Sequence, residues 1–174
     1  AIAWVTRTLA AISPADKAGQ LFVHMSMGND PGELPRLDRL RPAGITRFFG
    51  PDLAHEASFM DAVRAQAGVP LLISADLEGS RMSLLFGTEV ANPLALAAVD
   101  DVEATRAIAT LMADEARAFG INWSFTPGLD INAAFRSPIV ATRGFGADPD
   151  RIARHALAQL TAFQAAGVAA TAKH

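Results

Sequence analysis

The chain has 174 residues, 51% of them hydrophobic and 19% charged, which is typical of a folded domain with a substantial core and excludes a disordered chain. The net charge of −3 and the lack of a Lys/Arg cluster argue against nucleic-acid binding, and no apolar run approaches the roughly 20 residues of a membrane span. There is no cysteine, which excludes disulfides and thiolate chemistry.

Strands and helices are predicted to alternate along the chain. A first helix is predicted to begin at Pro14, which suits the first helical position, with Ser13 as its N-cap. Asp16 in the first turn interacts favourably with the positive end of the helix dipole. Apolar residues at helical spacing predict further helices over 33–41, 54–67, 101–119 and 149–166. Short apolar runs predict strands over 20–25, 44–50, 71–75, 121–126 and 167–172. The residues between Gly79 and Asp101 are expected to form an elaborated loop.

Four glycines stand where a predicted helix gives way to an apolar strand: Gly44, Gly68, Gly120 and Gly167. Glycine adopts the left-handed conformation that commonly ends a helix, so each is predicted to cap the helix before it. Four such junctions indicate a repeating strand–helix series, and therefore an α/β fold with a parallel sheet.

Two architectures fit such a series, a doubly wound sheet and a (β/α)8 TIM-type barrel. A doubly wound nucleotide-binding domain usually carries a glycine-rich loop after its first strand, and the sequence contains neither that motif nor a Walker motif. A barrel needs about 250 residues, so we expect residues 1–174 to supply roughly its first five β/α units. Because Lys173 and His174 directly follow a core strand, we expect the chain to be the N-terminal portion of one barrel domain, truncated after the fifth strand.

Polar residues collect after the predicted strands, on the side where a barrel builds its active site. In chain order these residues are Asp76, Glu78, Asp130, Asn132, Arg136, Arg143, Lys173 and His174. Carboxylates and cations gathered together suit a ligand with many hydroxyl groups, each able to donate and accept a hydrogen bond. A sugar is the expected ligand.

Structural alternatives remain for several of these residues. Asp76 could anchor a loop instead of binding a ligand, and Glu78 is expected to pair with Arg81 to hold that loop. Asp130 and Asn132 could form a turn, and Arg143 remains ambiguous. Lys173 is harder to explain structurally, because an ammonium group at the end of a core strand is costly to bury without a partner.

Other titratable residues are given structural roles. His24 is expected at the rim of the core, and Glu56, His55 and His155 on the solvent side of helices. The sequence shows no convincing metal-ligand spacing, and no G-x-S-x-G motif supports a Ser-His-Asp triad.

Five short motifs resemble the N-terminal barrel domain of glycoside hydrolase family 3. They occur in that family's order at 17–21 (KAGQL), 76–81 (DLEGSR), 125–130 (FTPGLD), 143–149 (RGFGADP) and 173–174 (KH). The resemblance implies a (β/α)8-type barrel and a retaining, exo-acting β-glycosidase. It also implies that Asp76, Arg143, Lys173 and His174 bind hydroxyls of the terminal sugar and that Asp130 is structural. No cofactor and no metal are expected.

The Asp-x-Glu-Gly form of the second motif is more similar to the β-N-acetylhexosaminidase branch of the family than to the β-glucosidase branch, which stays an alternative. Ser80, Leu84 and Gly144 depart from the common pattern and leave the identity of the sugar open. The resemblance places the nucleophile and the acid/base after residue 174, so no catalytic residue is assigned within the chain.

The expected partner is therefore a small glycoside or an oligosaccharide, with no nucleic acid and no membrane, and the expected location is the cytoplasm. An alternative from another class is a non-catalytic, sugar-binding partial barrel. An open half-barrel exposes a sheet edge and an apolar face, so we also expect a homo-oligomer or aggregation if the chain is produced alone.

Overall fold

The computed structural model describes residues 2–27, 30, 32–133 and 137–174. Arg136, one of the polar residues singled out above, lies outside the described residues. The chain forms two compact units, Ala1–Ile73 and Ser74–His174, and each is described by itself.

The described residues of the first unit form four helices and two complete strands, and strand β3 begins at its end. Its elements are α1 (Ile2–Ala11), α2 (Pro14–Gly19), β1 (Val23–Met27), α3 (Glu33–Leu40), β2 (Gly44–Phe48) and α4 (Leu53–Gln66). Strands β1 and β2 pair in parallel, from Val23 opposite Gly44 to Met27 opposite Phe48. Helix α2 begins as predicted, with a capping box in which Ser13 and Asp16 bond each other's backbone N–H.

The core of the first unit packs apolar side chains of β2, α3 and α4 around a buried ion pair. Ile45, Met60 and Val63 are almost wholly buried. Arg47 of β2 donates to both carboxylate oxygens of Glu56 on α4, at 2.9–3.0 Å, and to the Ser26 hydroxyl at 3.0 Å. The prediction that Glu56 faces solvent is therefore wrong, because the residue provides the counter-charge that a buried arginine requires.

The second unit contains the remaining strands and helices. Its elements are the end of β3 (Leu72–Ala75), α5 (Pro93–Val99), α6 (Val102–Phe119), β4 (Trp123–Ser124), a 3-10 helix (Ala141–Arg143), α7 (Pro149–Ala165) and β5 (Ala169–Ala170). The strands are parallel, with Ser74 opposite Trp123 and Trp123 opposite Ala169. Helix α7 begins at Pro149, as predicted, and the side chain of its N-cap Asp148 accepts from the backbone N–H groups of Asp150 and Arg151. The predicted alternation of helices with parallel strands is thus confirmed.

Two of the four predicted glycine caps are confirmed. Gly120 and Gly167 have φ of 88° and 78°, in the left-handed region. Gly44 instead begins β2. A Cβ atom there would lie 2.2 Å from the carbonyl oxygen of Leu72, so glycine is required because the two backbones approach closely. Gly68 does not have positive φ, since α4 ends at Gln66 and its cap residue, Ala67, is already extended.

Two of the described α-helices lie outside the predicted elements. Helix α1 comes before the first predicted helix, and α5 lies within the segment predicted as loop. Among the described residues, none of the helices combines the length and hydrophobicity required to span a membrane.

Candidate functional site

The turn that follows β3 presents Asp76 and Glu78 directly beyond the last strand residue, Ala75. The backbone N–H groups of Glu78 and Gly79 both donate to the carbonyl oxygen of Met82, at 2.7 and 2.9 Å. Gly79 has a φ of 112°, and a Cβ atom there would lie 2.4 Å from the carbonyl oxygen of Ala91. The turn therefore requires glycine both for its conformation and for space.

The segment after this turn is tied to helix α6. Thr88 donates to Glu115 from its backbone N–H at 3.1 Å and from its hydroxyl at 2.5 Å. Phe86 packs on Phe119, with ring centroids 4.7 Å apart. These contacts tie the segment that follows the two carboxylates to a long helix.

Lys173 brings a cation to these carboxylates. Its ammonium nitrogen lies 2.6 Å from Oδ1 of Asp76 and 2.5 Å from Oε1 of Glu78. The backbone of Lys173 is held by the segment after β4, donating to Pro127 and accepting from Leu129. An ammonium group has three N–H donors, so two carboxylate contacts leave one for a ligand.

Arg143 brings a second cation to Glu78. Its Nε donates to Oε2 at 2.7 Å and its Nη2 to Oε1 at 2.8 Å, a bidentate arrangement. The Glu78 side chain is 1% exposed, whereas that of Arg143 is 29% exposed. The expected pairing of Glu78 with Arg81 is wrong: Glu78 is held by Arg143 and Lys173, and Arg81 is exposed.

The electrostatics of the site follow from this pairing. Burial alone would raise the pKa of Glu78, but hydrogen bonds from Arg143 and Lys173, together with their positive charges, bring it below its ordinary value. The hydrogen bond to Glu78 raises the pKa of Arg143, and the charges of Glu78, Asp76 and Asp130 add to this effect. The glutamate is therefore ionised throughout the physiological range.

Phe145 anchors the segment that carries Arg143. Its ring is fully buried and stacks on the ring of His155 of α7, with centroids 5.5 Å apart. His155 in turn contacts the Thr105 hydroxyl at 2.7 Å and the Asp100 carboxylate at 3.2 Å. The hydrogen bond from His155 is the main reason that the pKa of Asp100 is lowered.

The expectation that His155 is solvated is therefore wrong, because its side chain is fully buried. The sequence contained a signal for this position. His155 lies three residues after Ile152 and adjoins Ala156, so it falls within the apolar stripe of α7, where both of these residues are buried.

Asp130 and His174 form a second pair at the same strand ends. Nδ1 of His174 lies 2.7 Å from Oδ2 of Asp130, and half of the His174 side chain is exposed. Asn132 donates from its backbone to Gly146 at 2.9 Å and from its amide to Ala141 at 3.2 Å. Asn132 thus ties its segment to Gly146 and Ala141 as a donor, while Asp130 contacts a half-exposed imidazole.

The structure therefore assembles the four residues predicted to bind the ligand, Asp76, Arg143, Lys173 and His174, within the second unit. Glu78, expected to be only a loop residue, joins Arg143 to Lys173. Within the part of the chain that the structure describes, Oδ2 of Asp76 has no hydrogen-bond partner. The site offers a carboxylate acceptor, two cationic donors and an imidazole, a set that matches the hydroxyls of a sugar ring.

The model of the family described as "Glycosyl hydrolase family 3 N terminal domain" matches residues 51–174, which is most of the chain. The chain belongs to glycosyl hydrolase family 3. The resemblance drawn from the five motifs is confirmed.

The chain is also similar to individual curated proteins. The chain is 42% identical over 174 residues to the "Beta-N-acetylglucosaminidase/beta-glucosidase" of Cellulomonas fimi, covering 99% of this chain and 31% of that protein. It is 31% identical over 120 residues to the beta-hexosaminidase A of Pseudoalteromonas piscicida, covering 65% of this chain and 20% of that protein. The chain thus spans about a third or less of the length of these relatives.

Solved structures give the same fold. A beta-glucoside phosphorylase, BglX, bound to 2FGlc superimposes with a TM-score of 0.87 at 31% identity, covering 99% of this chain and 32% of that chain. A family 3 β-N-acetylglucosaminidase from Paenibacillus sp. superimposes with a TM-score of 0.80 at 33% identity, covering 94% of this chain and 33% of that one. These neighbours confirm the predicted α/β fold class and the barrel type.

Proposed function

We propose that the site around Asp76 binds the terminal sugar of a β-linked glycoside, with Asp76, Arg143, Lys173 and His174 contacting its hydroxyls. The main support for this proposal is a network of ion pairs. Lys173 contacts both Asp76 and Glu78, and Arg143 binds the same glutamate. This network leaves an acceptor on Asp76 and donors on both cations for a ligand. Residues 1–174 are proposed as the N-terminal portion of one barrel domain, in line with the family description matched over 51–174.

The chemistry of the four groups is complementary to a sugar ring. Oδ2 of Asp76 would accept from a hydroxyl, and the remaining N–H groups of Lys173 and Arg143 would donate to ring hydroxyls. Hydrogen bonds to charged groups contribute about 1.5–3 kcal/mol each, so two or three of them account for useful affinity. Such contacts accelerate a reaction when they tighten toward its oxocarbenium-like transition state.

The proposed reaction is retaining hydrolysis that releases a terminal β-linked N-acetylhexosamine. The names of the Cellulomonas fimi relative and of the Paenibacillus neighbour support this sugar, and the former also names β-glucosidase activity. Retention requires a nucleophilic carboxylate and a general acid/base about 5 Å from it. We assign neither role within residues 1–174.

An assay of the intact protein with aryl N-acetyl-β-glucosaminide and aryl β-glucoside tests the proposal. Faster turnover of the first supports the hexosaminidase reading, and faster turnover of the second supports the β-glucosidase alternative. Absence of turnover with both, together with binding of a monosaccharide in titration calorimetry, would favour the non-catalytic sugar-binding reading. Absence of both turnover and binding would remove the proposal.

Transfer of the sugar to phosphate is a second candidate, favoured by the phosphorylase named among the structural neighbours. In this reaction the bond between the anomeric carbon and the leaving oxygen breaks, and a phosphate oxygen takes the place that water has in hydrolysis. Repeating the assay with and without inorganic phosphate separates the two reactions. Formation of a sugar 1-phosphate supports transfer to phosphate, whereas free sugar alone at an unchanged rate contradicts it.

A further inference from the structure

Glu78 contacts both cations of the site, although its side chain is almost fully buried. Oε1 is contacted by both Lys173 and Arg143, and Oε2 accepts from Arg143. With 1% exposure, the carboxylate cannot reach a ligand that approaches from solvent. Its two partners are more accessible, since Lys173 is 13% and Arg143 29% exposed.

A second buried glutamate in the chain shows what a purely structural pair looks like. Glu56 is also 1% exposed and also binds an arginine through two donors. Its partner, Arg47, is 0% exposed, donates further to Ser26 and lies under the ring of Phe59, 4.2 Å from the ring centroid. That arginine is enclosed by protein, whereas Arg143 keeps part of its guanidinium at the surface.

We infer that Glu78 is a positioning residue that holds Arg143 and Lys173 in the geometry in which they donate to the sugar, without contacting the sugar itself. The inference rests on the proposed function, since positioning matters for activity only if the ring lies against these two cations.

Physical chemistry explains why such a residue is needed. Two cations that converge on one ligand repel each other, and both have long side chains with many rotamers. The shared carboxylate cancels the repulsion and fixes both side chains, because the bidentate contact sets the plane of the guanidinium while Oε1 fixes the ammonium position. Asp76 remains free to offer Oδ2 to the ligand, because Lys173 contacts only its Oδ1.

Glu78→Gln tests the inference, because it keeps the shape of the side chain but removes its charge and turns one acceptor into a donor facing cations. We expect kcat/KM of the intact protein on its best aryl glycoside to fall at least about 100-fold, as for a misplaced positioning group. KM should rise along with the fall in kcat, because the sugar donors are displaced. Loss of folded protein alone would lower the apparent kcat and leave KM unchanged.

Glu56→Gln is the matched control, since it removes the charge of an equally buried glutamate whose arginine is enclosed by protein. It should lower stability and leave KM and kcat per folded molecule near the wild-type values. The double variant Glu78→Gln with Arg143→Gln should lose much less than the product of the two single losses, because the two residues act as one unit. A wild-type KM in Glu78→Gln, or full additivity, would overturn the inference.

A crystal structure of Glu78→Gln decides the inference independently of activity. Displacement of the Arg143 guanidinium or the Lys173 ammonium supports it, whereas wild-type positions for both would overturn it. If the wild-type protein neither turns over a glycoside nor binds a monosaccharide while the variant shows displaced cations, the proposed function fails and the positioning of both cations by Glu78 stands.

Discussion

Lys173 and Asp76, 97 positions apart in the sequence, meet through a 2.6 Å contact between the lysine ammonium and the aspartate carboxylate. They follow strands that are not neighbours, because β4 pairs with β3 on one side and β5 on the other. The lysine side chain therefore reaches past the end of β4, where it also contacts Glu78. The candidate site depends on this convergence of separate strand ends.

Replacing Asp76 with alanine tests its proposed contact with the sugar. The change removes a charged acceptor, so a contribution of about 1.5–3 kcal/mol disappears and kcat/KM should fall on the order of 100-fold. Steady-state kinetics of the intact protein measure the effect. Asp61→Ala is a suitable control, because Asp61 is highly exposed and pairs with Arg64 along the same helix. Near-normal activity of Asp76→Ala would refute the role given to this residue.

The low pKa of Glu78 predicts a pH-dependent contribution to stability. Because its folded pKa lies below the ordinary 4.5, the ionised group stabilises the protein above that value, and this contribution is lost as the pH falls through the folded pKa. Glu78→Gln should therefore be less stable than wild type near neutral pH, by up to about 3 kcal/mol. Urea unfolding at about pH 7 and about pH 3 should show the difference shrinking at the lower pH. A difference that does not change with pH would contradict the assignment.

Gly79 and Gly146 form a matched pair for testing the turn after β3. Both have positive φ, 112° and 107°, so alanine is strained at either position by about 1–2 kcal/mol. Only at Gly79 would the new Cβ also meet backbone, 2.4 Å from the carbonyl oxygen of Ala91, since nothing lies within 4 Å at Gly146. Gly79→Ala should therefore lower the free energy of unfolding more than Gly146→Ala. Equal losses in chemical denaturation would show that the close approach is unimportant.

Phe145 should be essential for the stability of the second unit. Truncating this fully buried ring to alanine should cost about 3–5 kcal/mol and loosen the segment that carries Arg143. Leu157→Ala on α7 is the control, because Leu157 is mostly exposed and its loss should change stability by about 0.5 kcal/mol or less. Thermal and urea unfolding measure both variants. Similar stability of the two would contradict the anchoring role of Phe145.

Local signals in the sequence predicted much of the fold. Ser13 and Asp148 are caps whose partners lie within three residues, so short-range rules suffice to place α2 and α7. Helix α5 carried a comparable signal, an Asn92 cap followed by Pro93, and could have been found by the same rule. The prediction for Gly44 was wrong because glycine is needed there to let the backbone of Leu72 approach. This contact is long-range, and no local pattern in the sequence reveals it.

The residues of the candidate site could be predicted from the sequence, but not which of them form ion pairs with each other. Asp76 and Lys173 could be assigned because polar residues directly after apolar strands converge at one end of a barrel. The pairing of Glu78 with Arg143, 65 positions away, depends on tertiary geometry, whereas Arg81 only looked suitable because it is close in sequence. The buried Glu56 was misplaced for the same reason, since its partner Arg47 lies on a different element.

A crystal structure of the intact protein with N-acetylglucosamine is the sharpest test of sugar binding at Asp76. We predict that hydroxyls of the ring lie within hydrogen-bond distance of Oδ2 of Asp76 and of the side chains of Lys173, Arg143 and His174, with Glu78 still held behind the two cations. A sugar bound at a different place, with these four side chains left without contact to it, would show that they do not form the sugar site.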